Sequence, residues 1–150
     1  MAVKGFQELD VYRLAERLAD GLWKVVASWD DMAKCTAGRQ LVRAADSIGA
    51  NIAEGVGRGS YQDNRRFVRM ARGSLNETRH WLRRAYRRGF LTQDQSESLK
   101  PLIAEPGPRL NAYLKSIGPR ETGDAPSGPA GALDENPQQE GHKPQVTSDK

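Results

Sequence analysis

Apolar residues repeat at intervals of three and four along the first 118 residues, and strand-like alternation is almost absent. At about 100° per residue, this spacing gathers apolar side chains on one face of a helix. The first such run predicts a helix over residues 8–28, and the second predicts a helix over 36–54. Gly21 interrupts the first run at a cost of about 1 kcal/mol relative to alanine, which indicates a close contact with another helix.

The third run is the longest. Ser60 is a favourable N-cap for it, and Asp63 lies in the first turn, where a negative charge suits the positive end of a helix. Gly89 is predicted to end this helix. Its inward face is predicted to consist of Phe67, Ala71, Ser74, Leu75, Thr78, Leu82 and Ala85.

Three glycines separate the second and third runs. We expect Gly55 to stop the second helix, and Gly57 and Gly59 to supply the turn conformations that follow it. These glycines follow a helix rather than a strand, and no Lys-Ser or Lys-Thr pair comes after them, so they do not predict a phosphate-binding loop.

The fourth run begins with Thr92 and Gln95, which have the spacing of a capping box. Pro101 and Pro106 lie inside it and predict a kink or two half-helices, because a proline within a helix removes a hydrogen bond. Four amphipathic helices with short loops predict an all-α fold, an antiparallel up-down-up-down four-helix bundle. The alternative is three long helices with a broken fourth helix lying across them.

The composition changes near residue 118. Residues 119–150 contain five prolines, four glycines and only five aliphatic residues, so we predict a four-helix bundle domain over 1–118 and a disordered Pro/Gly-rich tail over 119–150. Residues 1–118 carry 20 Lys and Arg against 13 Asp and Glu, a net charge of +7, whereas the tail carries 3 against 6, a net charge of −3. The basic domain favours an anionic partner.

Cys35 is the only cysteine, which excludes an intramolecular disulfide and a Cys-x-x-Cys motif. No run of 18 apolar residues exists, and the first ten residues lack the apolar core of a signal peptide. We therefore expect a cytoplasmic protein that is neither exported nor bound to a membrane.

The third predicted helix is rich in arginine. Residues 58–88 contain ten arginines and only two acidic residues. Within about 60° of one another on the helix, opposite the apolar face, lie Arg65, Arg69, Arg72, Arg83 and Arg87, with Arg79 beside them.

The ordinary interpretation of this face is a solvated surface. However, few glutamates lie four residues away to compensate, so like charges repel at a cost that a bound polyanion would remove. Arginine also favours bidentate contact with phosphate. The alternative to a solvated surface is therefore a nucleic-acid-binding face. The aromatic residues that would stack on unpaired bases are Tyr61, His80, Trp81 and Tyr86.

Catalytic and metal sites are not indicated. Glu77 and His80 form one Glu-x-x-His motif, but a di-iron site needs a second, and the only other histidine is His142 in the predicted tail. No nucleophile and base pair is apparent around His80. We predict a protein that is not an enzyme and has no catalytic residue, metal, cofactor or small-molecule substrate.

A polar line on the second helix is formed by Ser47, Asn51 and Glu54 at i, i+4 and i+7. It is either an ordinary solvent-exposed flank or a helix or subunit contact. In the second case Asn51 and Glu54 would bind Arg58, Arg72 or an arginine of a neighbouring subunit.

A resemblance to a known family rests on four segments, which read GFQELDVYRLAERLA, QLVRAADSIGANIAEGVGRGS, FVRMARGSLNE and AYRRGFLT. Over about residues 5–117, the chain resembles the small four-helix-bundle proteins encoded by intervening sequences in bacterial 23S rRNA genes. The resemblance implies a ring-like homo-oligomer, a pentamer, with a basic surface. Such proteins are similar to accessory proteins of diversity-generating retroelements, which bind RNA and a reverse transcriptase.

Two motifs of the family match this sequence position by position. The first is matched by Asn51, Glu54, Gly55, Gly57, Arg58 and Ser60, and the second by Gly73, Ser74, Leu75 and Glu77. The resemblance implies mostly structural roles for them: a helix stop, a cap, and close packing at Gly73 and Ser74.

The leading hypothesis is a non-enzymatic, oligomeric four-helix bundle that binds RNA, or DNA, through the arginine face. The alternatives are a scaffold for an acidic protein partner, such as a polymerase or reverse transcriptase, and a structural protein without a ligand. In the scaffold hypothesis the same arginines pair with carboxylates, including those of a neighbour's acidic tail.

Overall fold

The computed structural model describes residues 5–119, so the predicted disorder of the tail lies, apart from Pro119, outside the described residues. The described chain is helical and contains no strand. Its main helices are α1 (Asp10–Ala27), α2 (Arg39–Gly57), α3 (Tyr61–Arg87), α4 (Gln93–Ala104) and α5 (Pro106–Ser116). A 3-10 turn precedes α1, and a short helix, Asp31–Ala33, and a π-helical turn, Lys34–Gly38, lead without a break into α2.

The helices form an antiparallel four-helix bundle, as the sequence predicts. α2 packs between α1 and α3, while α4 and α5 together occupy the fourth position, α4 against α1 and α5 against both α1 and α3. The core lies along the bundle axis, where apolar side chains from all four positions are fully buried. Among them are Leu18, Leu22, Leu41, Ile48, Ile52, Leu75 and Leu110.

The fourth position is divided at a proline, which confirms the predicted half-helices. Pro106 starts α5, where its missing N–H is not needed, and Pro101 lies inside α4. The predicted capping box is present: Thr92 Oγ1 accepts from Gln95 N at 3.1 Å, and Thr92 N donates to Gln95 Oε1 at 3.0 Å. This cap fixes where α4 begins beside the end of α3.

Gly21 of α1 and Gly55 of α2 lie at close contacts between helices. A Cβ on Gly21 would lie 2.9 Å from Leu102 Cδ1, which confirms the predicted contact. The predicted helix stop at Gly55 is wrong, because α2 continues to Gly57. A Cβ on Gly55 would lie 2.7 Å from Asn64 Oδ1 and 2.9 Å from Phe67 Cβ, so this glycine lets α2 and α3 approach each other. Within the turn that follows, only Gly59 has a positive φ, 76°.

The close packing expected at Gly73 is not made within residues 5–119. Gly73 is exposed, and no atom of the described residues lies within 4 Å of the position that its Cβ would take. Its neighbour Ser74 does face α2, where Ser74 Oγ lies 3.4 Å from the amide nitrogen of Asn51. The motif therefore combines one residue at a helix contact with one that is open to solvent.

Candidate nucleic-acid interface

α3 presents the arginine face because its other face is held in the core. Ser60 Oγ accepts from Asp63 N at 3.1 Å and starts the helix, and Gly89, with a φ of 76°, follows its end. Leu75 and Thr78 are buried against the bundle. The 27 residues between these limits give a helix about 40 Å long. The arginines therefore extend along one side of the molecule.

The predicted stripe divides into two sets of arginines. The first set, the clasp arginines, consists of Arg65, Arg72 and Arg79, which are spaced seven residues apart on the side of α3 that faces α4 and α5. Because α3 runs antiparallel to α4 and α5, successive clasp arginines reach successive points along those helices. Their side chains are held by the fold.

The acceptors of the clasp arginines are neutral oxygen atoms. Arg72 Nη1 donates to Asn111 Oδ1 at 3.0 Å, and Arg79 Nη2 donates to the carbonyl oxygen of Ile103 at 3.4 Å. Arg65 donates to a main-chain carbonyl at the end of α5. These bonds satisfy donors without neutralising the positive charge.

The second set, the open arginines, consists of Arg69, Arg83 and Arg87. All three are exposed, and none makes a hydrogen bond or an ion pair with another residue of the described range 5–119. Arg84 and Arg88, which lie outside the predicted stripe, are also exposed and unpaired within the same range. On the helical wheel of α3 these two arginines lie outside the stripe, toward the flank nearer α2.

Little negative charge lies near this surface. Within the described residues, the only ion pairs made by the ten arginines of this segment are Arg58 with Glu54, and Arg66 with Asp63 at 3.6 Å. Glu77, the other acidic residue of α3, pairs with Arg43 of α2. The arginine face therefore keeps most of its positive charge.

The predicted motif residues make contacts inside the chain. Asn51 lies between α2 and α3 beside Ser74, so the helix-contact interpretation applies to it. Glu54 pairs with Arg58, one turn further along, and both side chains are about half exposed. The guanidinium carbon of Arg58 also lies 4.9 Å from the centre of the Phe67 ring. These contacts secure the connection between α2 and α3.

Three of the four predicted stacking residues, Tyr61, Tyr86 and His80, are exposed. The side chains of Tyr61 and Tyr86 are 57% and 60% exposed, one at each end of α3. Trp81 is partly buried against the core, and the ring of His80 meets it edge-on with centroids 5.0 Å apart. Within the described residues, the two tyrosines are exposed and make no contact with another aromatic ring.

A groove of about 590 Å³ lies between the C-terminal half of α3 and α4. Its apolar lining includes Leu82, Leu91, Leu99 and Ile103, and its polar lining includes Arg79, Arg83, Tyr86, Ser96, Glu97 and Lys100. The sequence pattern did not indicate this α3–α4 groove because its two walls come from separate helices. One of the open arginines, Arg83, lies at its edge.

Within the α3–α4 groove the single carboxylate is paired. Lys100 Nζ donates to Glu97 Oε1 at 2.7 Å, and this hydrogen bond, together with the positive charge, lowers the pKa of Glu97. The carboxylate is therefore ionised at neutral pH and partly offsets the charge of Lys100. Arg79 and Arg83, the two arginines of the groove, form no ion pair with any residue of the range 5–119.

The part of the chain described here shows no cluster of three or more His, Cys, Asp or Glu side chains that could hold a metal ion. Glu77 of the Glu-x-x-His motif points to Arg43 instead. None of the helices in residues 5–119 is both long enough and apolar enough to cross a membrane.

Comparison with known proteins places the chain in a family. A solved structure from Bacteroides thetaiotaomicron, described as a protein of unknown function from the S23 ribosomal protein family, is similar with a TM-score of 0.65 and 26% sequence identity. The match covers 71% of this chain and 96% of that chain. No curated protein matches. The family of the 23S rRNA-intervening sequence proteins matches residues 7–112, and this chain therefore belongs to it.

Proposed function

We propose that this protein is a non-enzymatic, oligomeric bundle that binds nucleic acid, RNA in preference to DNA, through the open arginines of α3. The observation that carries the proposal is that Arg69, Arg83 and Arg87 are exposed and unpaired within the described chain. Arg83 and Arg87 are four residues apart and repel each other, and a bound phosphate backbone removes that cost. RNA is the first polymer to test because the family is named for a sequence within 23S rRNA.

The spacing of the open arginines suits a polymer rather than a single anion. Arg69 and Arg87 are 18 residues apart, which is about 27 Å along a helix. A nucleic acid lying along α3 would therefore place several phosphates within reach of them. Contacts of this kind are made to the backbone and carry little sequence information. The clasp arginines, whose partners are neutral, add to the positive potential.

Charge reversal tests the location of the binding face. The double variant Arg69→Glu with Arg87→Glu is expected to bind a short single-stranded RNA at least about tenfold more weakly than the wild type, because each substitution removes a phosphate contact and adds repulsion. The matched control is Arg13→Glu with Arg17→Glu on α1, which changes the net charge equally. An equal loss of RNA affinity in both double variants would contradict the location of the binding face on α3. Absence of RNA binding by the wild type would contradict the proposed function.

A second candidate is a scaffold for an acidic protein, such as a polymerase or reverse transcriptase. It is favoured by Trp23, which is 62% exposed beside a second groove of about 500 Å³ between α1 and α2. The basic lining of this groove consists of Lys34, Arg39 and Arg43. Exposed tryptophan with arginine is typical of protein interfaces. Trp23→Ala is expected to abolish capture of an acidic partner and leave RNA binding unchanged.

We also propose that the protein is a homo-oligomer, a pentamer by its family resemblance. The proposal is supported by large apolar side chains that a monomer leaves in water, including Met32 at 79% and Met70 at 49% exposure. Mass measurement in solution, with and without nuclease treatment, tests it. A mass of one subunit at all concentrations would contradict self-association.

A further inference from the structure

We infer that the α3–α4 groove holds one unpaired nucleotide of the bound nucleic acid, with its base against Tyr86 and its phosphate beside Arg83. The inference rests on the proposed function and narrows its ligand to nucleic acid with unpaired bases. It is carried by the size of the groove, its lining, its charge and its position beside the open arginines.

The size and lining of the groove suit a nucleobase. Its volume, about 590 Å³, lies within the range of about 300–1,000 Å³ that is usual for small-molecule sites. Leu82, Leu99 and Ile103 line it with apolar surface, which the flat faces of a base can cover. Ser96 Oγ, on the same wall, is buried and has no hydrogen-bond partner within residues 5–119.

The charge of the groove suits a phosphate. Arg79, Arg83 and Lys100 supply three positive charges, against the single carboxylate of Glu97. Arg83 is both a groove residue and an open arginine, so a backbone that follows the open arginines passes the mouth of the groove. A base turned toward the protein at that point enters it while its phosphate stays on Arg83.

Tyr86 supplies the stacking surface. Its side chain is 60% exposed at the edge of the groove, where a ring in water is available to a planar ligand. Stacking of bases on aromatic side chains tolerates any sequence, because every base has a π face. A base within a duplex is already paired and stacked, so the groove favours single strands.

The test uses the full-length protein with two probes, a short single-stranded RNA and the duplex form of the same sequence. Tyr86→Ala is expected to bind the single strand about tenfold more weakly, as is usual for loss of one stacked base, and to bind the duplex as the wild type does. Tyr86→Phe keeps the ring and is expected to retain wild-type affinity. Trp23→Ala removes a similarly exposed aromatic ring, 62% exposed, from α1; it is the matched control and is expected to change neither affinity.

The outcomes separate this inference from the proposed function. If Tyr86→Ala binds both probes as the wild type does, the nucleotide groove is overturned and the arginine face stands. Equal loss of affinity in Tyr86→Ala and Trp23→Ala would also overturn it, since the effect would not be specific to the groove. If the wild type binds neither probe, the proposed function fails and the groove inference fails with it.

Discussion

The guanidinium group of Arg65 donates two hydrogen bonds to the main-chain carbonyl oxygen of Ile117, from Nε at 3.1 Å and from Nη2 at 2.6 Å. Ile117 follows the last residue of α5, where helical carbonyl groups lack partners inside the helix. A positive charge there also interacts favourably with the negative end of the helix. An arginine near the start of α3 thus holds the end of α5, so its first role is structural.

Arg65 and Arg69 lie one turn apart on the same side of α3 but should differ in their effect on stability. Arg65→Ala is expected to lower the free energy of unfolding by about 1–2 kcal/mol, because the carbonyl of Ile117 loses a charged donor. Arg69→Ala, which breaks no contact within the described residues, is expected to change it by less than about 0.5 kcal/mol. Denaturant unfolding measures both. Equal effects would show that the Ile117 contact contributes nothing.

The glycines of the two family motifs should respond to alanine in opposite directions. Gly55→Ala is expected to destabilise the protein by about 1–3 kcal/mol, because the new methyl group meets Phe67 and Asn64 of α3. Gly73→Ala adds a methyl group in open space within a helix and is expected to stabilise the protein by roughly 0.5–1 kcal/mol. Thermal unfolding distinguishes the two. A stabilising Gly55→Ala would refute the close approach of α2 and α3.

Asp46 should make the stability depend on pH. Partial burial, and then the negative charge of Asp20, raise the pKa of Asp46 above its ordinary value of 3.8. The folded state therefore favours the protonated carboxyl. Asp46 contributes favourably to the stability of the fold at low pH, and this contribution is lost as the pH rises through the raised pKa. Asp46→Asn is therefore expected to stabilise the protein at pH 7, by less than about 0.5 kcal/mol since the side chain is partly solvated.

Measurements of the same two proteins at low pH are the control for the effect of Asp46→Asn. Well below pH 3.8 the wild-type carboxyl is protonated in both the folded and the unfolded state, so the part of the stability difference between Asp46→Asn and the wild type that comes from ionisation should vanish. Urea unfolding at several pH values measures the difference. A variant less stable than the wild type at pH 7 would show that the ionised carboxylate is stabilising.

Removing the carboxylate of the α3–α4 groove should strengthen binding. Glu97→Gln leaves Lys100 without its ion pair and removes the groove's one negative charge, so single-stranded RNA is expected to bind about two- to fivefold more tightly. Glu105→Gln is the matched control, because it changes the net charge equally at an exposed position that does not line the groove. An equal gain in RNA affinity in both variants would show that the effect comes from net charge alone.

The sequence correctly predicts the helices and caps whose signals lie within a few neighbouring residues. The helical repeat of apolar residues, the Ser60 cap and the capping box at Thr92 each depend on residues within one or two turns, and the structure contains all of them. Gly55 does not end α2 as the sequence predicts, because a glycine that ends a helix and a glycine that admits a neighbouring helix look the same in the sequence. The position of Phe67 across the contact decides between them.

The candidate site was only partly predictable for the same reason. The helical wheel puts Arg65 and Arg69 on one stripe, yet the carbonyl that binds Arg65 is 52 residues away in the chain. Only the packed bundle separates clasp arginines from open ones. The α3–α4 groove likewise arises where two helices meet, and the pattern of neither helix contains it.

The salt dependence of RNA binding tests the central claim most directly. If the open arginines bind phosphates, the affinity of the wild type for single-stranded RNA should fall by about twentyfold or more between about 50 and 200 mM salt, as expected for at least three phosphate contacts. The double variant Arg69→Glu with Arg87→Glu should show a shallower dependence. An affinity that stays constant over this range, or an equally steep dependence in the double variant, would contradict binding through the arginine face of α3.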